Sequence, residues 1–135
     1  MREIPINFLG ILIAAAAKML IGGLWYSPAL FLNTWFRVSG ITEEQMKAGI
    51  ARALAVEIVG SLIMAFVLVH AVRYAGAATP FQGMAVGFLN WLGFVAVVTI
   101  GTVTYQRKPF GLFLLINGYQ LISLVVMGAI LAVWG

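Results

Sequence analysis

Four long apolar stretches, residues 6–26, 53–72, 81–103 and 110–134, alternate with short clusters of polar and turn-forming residues. Each is about twenty residues or more. At about 1.5 Å per residue that is enough helix to cross a hydrocarbon core of about 30 Å. The pattern predicts an all-α fold, an integral membrane four-helix bundle in a single transmembrane domain spanning residues 1–135. The breaks between stretches carry their own chemistry. Trp25-Tyr26-Ser27-Pro28 closes the first span, because Trp and Tyr favour the headgroup region and proline disfavours helical geometry at Ser27. Residues 29–40 are too short to span yet carry Leu30, Phe31, Leu32, Trp35 and Phe36, so a long interfacial or partly re-entrant first loop is expected there. Thr42-Glu43-Glu44-Gln45 reads as a capping box with acidic residues at the positive end of a helix dipole, opening a helix that runs to about Tyr74. Thr79-Pro80-Phe81-Gln82 repeats the cap with a proline at the first helical position. Tyr105 to Pro109 is a short polar turn, and Trp134 marks the far interface.

Composition narrows the class. Hydrophobic residues make up 63% of the chain and charged residues only 9%, against about 25% charged in soluble domains, so water on all sides is excluded. The Ala14–Ala17 string after Arg2 superficially resembles a leader peptide, but Glu3 neutralises the basic end and the apolar run continues, so a retained span is expected. There is no cysteine, hence no disulfide, thiolate metal site or cysteine nucleophile. The net charge of +4 is scattered at loop ends rather than gathered on a face, which suits lipid headgroups and argues against nucleic acid. Arg37, Lys47, Arg52, Arg107 and Lys108 fall on one side of the spans, Arg2 and Arg73 on the other. The basic excess predicts a cytoplasmic first loop and both termini outside the cytoplasm.

Few polar groups lie inside the spans. Lys18 sits mid-span on a small-residue stripe with Gly10, Ala14 and Gly22; Glu57 sits on a matching stripe with Gly49, Ala53, Ser61 and Ala65. Small residues at this spacing let membrane helices approach closely. The two charges fall at overlapping depth, about 12 Å and about 6–9 Å from one membrane face at the helical rise. An ammonium in hydrocarbon costs at least about 2.5–3.5 kcal/mol, so an intramembrane ion pair between Lys18 and Glu57 is expected. It serves either as a proton or ion relay or as a packing device; alternatively Glu57 reaches the headgroups. Asn90, Trp91, Asn117, Tyr119, Gln120 and Ser123 form a second set, an expected polar interhelical cluster or cavity lining, since amides and hydroxyls in hydrocarbon need partners. Gly83 and Gly87 make a GxxxG helix-packing signal. His70 alone, without cysteine or a carboxylate nearby in sequence, gives no metal site. No cofactor motif, nucleotide loop or nucleophile elbow is present, so no enzyme is expected.

These motifs resemble a small bacterial membrane family known as domain of unknown function 1761. The resemblance covers nearly the whole chain. It rests on Gly23-Leu24-Trp25-Tyr26-Ser27-Pro28, with Leu30-Phe31, Trp35 and Gly40-Ile41-Thr42-Glu43-Glu44 after it. The run from Gly87 to Phe94, Asn117-Gly118-Tyr119, and Met127 to Ile130 carry it further. It implies four spans and a bacterial inner (cytoplasmic) membrane, and no reaction. Lys18 and Gln120 stand out from the implied pattern, where an apolar or small residue and a histidine are usual. The sequence therefore favours an oligomeric or partner-helix-binding accessory membrane protein. A small dimeric transporter or channel using Glu57 and Lys18, and lipid or hydrophobic-ligand binding in a cavity lined by Asn90, Trp91, Asn117 and Tyr119, are the alternatives.

Overall fold

The computed structural model describes residues 6–135; Arg2 and Glu3, used in the orientation and leader arguments, lie outside that range. The described residues form helices α1 (Phe8–Trp25), α2 (Leu32–Ser39), α3 (Glu43–Tyr74), α4 (Pro80–Thr104) and α5 (Phe110–Trp134). All except α2 are long and apolar enough to cross a membrane, and the chain is an all-α membrane bundle. Local sequence explains the helix ends. Asn7 caps α1 by accepting from the Leu9 amide, and capping boxes on Thr42–Gln45 and Thr79–Gln82 open α3 and α4. Gly40 and Gly76 adopt left-handed φ values of 73° and 71°, which cost a glycine little and stop α2 and the turn after α3.

Within the segment expected to be interfacial or partly re-entrant, a turn is followed by the short helix α2. Ser27 accepts from the Leu30 and Leu32 amides through its carbonyl, folding the chain back after Pro28, and α2 then lies against α5. The third span also differs from a plain helix. It widens into a π turn at Leu92–Ala96 and is interrupted at Ile100.

Packing is asymmetric. Helix α5 touches α1, α3 and α4, whereas α4 packs chiefly on α5. Gly83 and Gly87 explain that closeness: a Cβ at either would run into the α5 backbone at Gly128 and Leu124, and one at Gly128 would meet the Gly83 carbonyl. The GxxxG signal is thus spent within the chain. At one end of the bundle Ala14, Ala65, Val69, Met127 and Leu131 form a close-packed core. There the Asn7 amide donates to the Gly135 carbonyl and Arg73 donates to the Leu131 carbonyl. The other end opens into a cavity. Lys18 lies between the two.

Candidate functional site: a buried lysine, its carboxylate and a cavity

Lys18, on the inner face of α1, is only 2% exposed and pairs with Glu57 of α3, whose side chain is 37% exposed. Tyr119 of α5 completes the group. Its hydroxyl accepts from Lys18 Nζ at 3.0 Å and donates to Glu57 Oε1 at 2.7 Å, with the Lys18 carbonyl a second acceptor within 3.2 Å. Three helices therefore meet at one charged, hydrogen-bonded point. The arrangement meets the requirement that a membrane ammonium be paired and donate to oxygen. Gly22 makes room for it: a Cβ there would stand 2.8 Å from the Tyr119 hydroxyl oxygen.

All hydrogen bonds to the Glu57 carboxylate fall on Oε1. Glu57 also lines a cavity of about 620 Å³, bounded by α1, α2, α3 and α5. The cavity exists because these helices part company at this end. At about 1.5 Å per residue, the 32 residues of α3 extend well beyond a hydrocarbon core of about 30 Å, and α2, packed on α5, supplies Leu32 and Trp35 to the same wall. Its walls include Met19, Tyr26, Trp35, Met46, Tyr119 and Gln120. Tyr26 packs edge-on against Tyr119, with centroids 5.6 Å apart, and against Trp35 at 6.3 Å.

The Trp25–Pro28 turn holds this wall in place. Trp25 donates from its indole N–H to the Leu115 carbonyl at 3.0 Å and packs on Phe31, centroids 4.6 Å apart. Ser27 Oγ donates to the Leu24 carbonyl at 2.7 Å. Pro28 follows within the turn. The motif thus aims Tyr26 at the cavity by fastening its neighbours on both sides.

The expected polar cluster does not form one unit. Asn117 and Tyr119 are two residues apart, about 200° around a helix, so they face different neighbours. Tyr119 joins the Lys18–Glu57 pair and Gln120 the cavity. Asn117 faces α4, where its carbonyl accepts from Trp91 Nε1 at 2.9 Å and its Oδ1 from Thr99 Oγ1 at 3.1 Å. Asn90 donates to Val86 of its own helix. Ser123 Oγ is the buried side-chain polar atom without a hydrogen-bond partner among the described residues. Consequently the cavity is lined by Tyr119 and not by Asn90, Trp91 or Asn117.

Thr99, and the place of Trp35 in the cavity wall, escaped the sequence reading. In a regular α-helix, Thr99 would stand about 80° around from Trp91; the extra residue held in a π turn subtracts about 100°, bringing both onto Asn117. The apolar run from Trp91 to Val98 gave no sign of that shift. Trp35 is distinguishable only through the packing of α2, although its place in an aromatic run pointed to an interface. His70 binds its own helix, Nδ1 lying 2.7 Å from the Phe66 carbonyl, and the described residues hold no group of three metal-ligating side chains.

Residues 9–132 match the family described as Protein of unknown function (DUF1761). The chain belongs to that family. The match takes in all three members of the Lys18–Glu57–Tyr119 group, the Trp25–Pro28 turn and every wall of the cavity. No curated protein and no solved structure matches the chain. The family description assigns no activity, so function rests on the geometry.

Proposed function

We propose that this protein is a membrane-embedded binding protein whose cavity takes a hydrophobic small molecule with a polar head. The observation that carries the reading is the cavity of about 620 Å³ with Glu57 in its wall. That volume falls within the usual range for small-molecule sites, which are mostly apolar with a few placed polar groups. Here the polar groups are one carboxylate, two phenols and an amide. Binding, not catalysis, is the activity proposed. The close-packed core beyond Lys18 favours a binding pocket over an open channel, since Ala65, Val69, Met127 and Leu131 fill the path toward the other end of the bundle.

The reading also includes orientation. The basic residues Arg37, Lys47, Arg52, Arg107 and Lys108 at the cavity end support its facing the cytoplasm, with both termini outside. The membrane would be a bacterial inner membrane, as the sequence resemblance implies.

An oligomeric or partner-helix role draws less support from the packing. Gly10, Gly22, Gly83 and Gly87 are each covered by α5, while Gly60 and Gly93 have nothing within 4 Å. These, with Gly49 on the α3 stripe, are places where a second helix could come close, and a strictly monomeric mass in lipid nanodiscs would remove that role.

The binding reading is tested by calorimetric titration of octyldimethylamine oxide into nanodisc-embedded protein, with protein-free discs subtracted. Saturable binding that Ala53→Trp abolishes is expected, because Ala53 lines the cavity and is exposed within it. Equal binding by the filled variant would place the site elsewhere and overturn the reading.

A further inference from the structure

We infer that the head group this cavity selects is an organic cation of the quaternary or tertiary ammonium class, attached to an apolar chain. The inference rests on the binding reading above and adds the ligand's charge. Three features of the wall converge on it.

First, Glu57 is the charged side chain among the lining residues. Lys18 is 2% exposed and stands behind the carboxylate, with its hydrogen bonds directed to Glu57 Oε1 and the Tyr119 hydroxyl. The pair is neutral as a whole. It is a dipole, however, and its negative end belongs to the member that faces the cavity. Among the described residues no hydrogen bond occupies Oε2, which leaves one carboxylate oxygen for a ligand.

Second, the rings around Glu57 are set at steep angles. Tyr26 and Trp35 are inclined at 78°, and Tyr26 and Tyr119 at 74°. Rings so disposed turn their electron-rich faces in different directions rather than forming a single flat wall, and one face of Tyr119 is already taken by Lys18 Nζ, 4.7 Å from its centroid. A cation is attracted to an aromatic face, and cages of this kind are a recognised way to hold alkylated ammonium groups. An anionic head would meet the same quadrupoles and the same carboxylate with the opposite sign.

Third, the remainder of the wall suits an alkyl chain. Met19, Met46, Ile50, Leu54 and Ile116 are apolar, and the two methionines are adaptable in shape. A quaternary ammonium has no N–H donor and a tertiary one has a single N–H, which the free Glu57 oxygen can accept, so either is less strongly hydrated than a primary ammonium or a metal ion, which need several oxygen ligands.

The experiment compares three probes with the same tail in nanodisc-embedded protein: octyltrimethylammonium, octyldimethylamine oxide, which is neutral overall, and octylsulfonate. Calorimetry against protein-free discs is expected to give the cation a preference on the order of tenfold over both others. The Lys18→Met/Glu57→Gln double variant, which removes both charges and strands neither, is expected to lower the cation's preference over the amine oxide several-fold, leaving only what the aromatic rings supply. Trp35→Leu tests the cage without touching the ion pair and is expected to weaken the cation several-fold more than the amine oxide. Equal affinities for all three probes, or a cation preference undiminished in both variants, would overturn the charge inference while leaving the binding site standing. Absence of saturable binding by any probe would overturn the binding reading, and this inference with it.

Discussion

At the scale of single residues the Lys18–Glu57 pair is lopsided, and the lopsidedness makes a prediction. Lys18 is almost wholly buried, whereas Glu57 keeps over a third of its side chain open toward the cavity. Removing one partner of a buried pair costs most when the group left behind has no other solvent. Glu57→Gln strands the ammonium and is expected to cost about 3 kcal/mol. Lys18→Met leaves a carboxylate that water can reach and that Tyr119 still serves, and the expected loss is about 1–2 kcal/mol. The double variant should be more stable than Glu57→Gln alone. Reversible unfolding in mixed micelles gives all three values; additive losses, or Lys18→Met as the costlier change, would contradict the geometry. Ser123 supplies the opposite case. Its hydroxyl is buried without a hydrogen-bond partner among the described residues, so Ser123→Ala should leave stability unchanged or raise it in the same assay.

At the scale of elements, glycine divides into two kinds by what surrounds it. Gly83, Gly87 and Gly128 lie where the backbones of α4 and α5 touch, and an added Cβ would meet backbone atoms that cannot rotate away. Gly60 and Gly93 face open space. Gly83→Ala and Gly128→Ala are therefore expected to lower the unfolding midpoint markedly by prising α4 from α5. Gly60→Ala should be neutral or stabilising by up to about 1 kcal/mol through helix propensity. Equal effects at both kinds of site would mean that α4 does not pack as described. Much of this level was legible in the sequence. Span lengths follow from apolar runs, and Thr42–Gln45 and Thr79–Gln82 mark helix starts because capping is local chemistry. The helical nature of residues 32–39 was less visible, since eight residues of mixed polarity acquire their structure by lying on α5. The π turn was invisible for a similar reason. It serves a partner, Asn117, that the sequence places 18 residues beyond Thr99.

At the scale of the molecule, the division into a packed end and an open end gives the protein its direction. Lys18 and Glu57 could be paired from stripes and depth, because both follow from helical geometry along single spans. That Tyr119 joins them, while Asn117 turns the other way, depends on the rotation of α5 within the bundle, which small and apolar residues on several faces leave undetermined. The cavity is walled by four helices, α2 among them, and belongs to no single segment. Its proposed cytoplasmic aspect can be tested because the chain lacks cysteine, so an introduced one is unique. Lys108→Cys should resist a membrane-impermeant maleimide in intact cells and react after permeabilisation, while a cysteine at Ala78, exposed in the turn at the opposite end, should react in both. The reverse pattern would invert the orientation.

The most direct measurement uses the methionine methyls as reporters in nanodiscs. Met19 and Met46 line the cavity, Met127 is fully buried in the packed end, and Met84 is exposed on α4. On titration with octyltrimethylammonium, ¹³C-methyl spectra should show saturable shifts at Met19 and Met46 with Met127 and Met84 unmoved. Shifts confined to Met84, or none at Met19 and Met46 at saturating probe, would contradict the proposal that this cavity is the binding site.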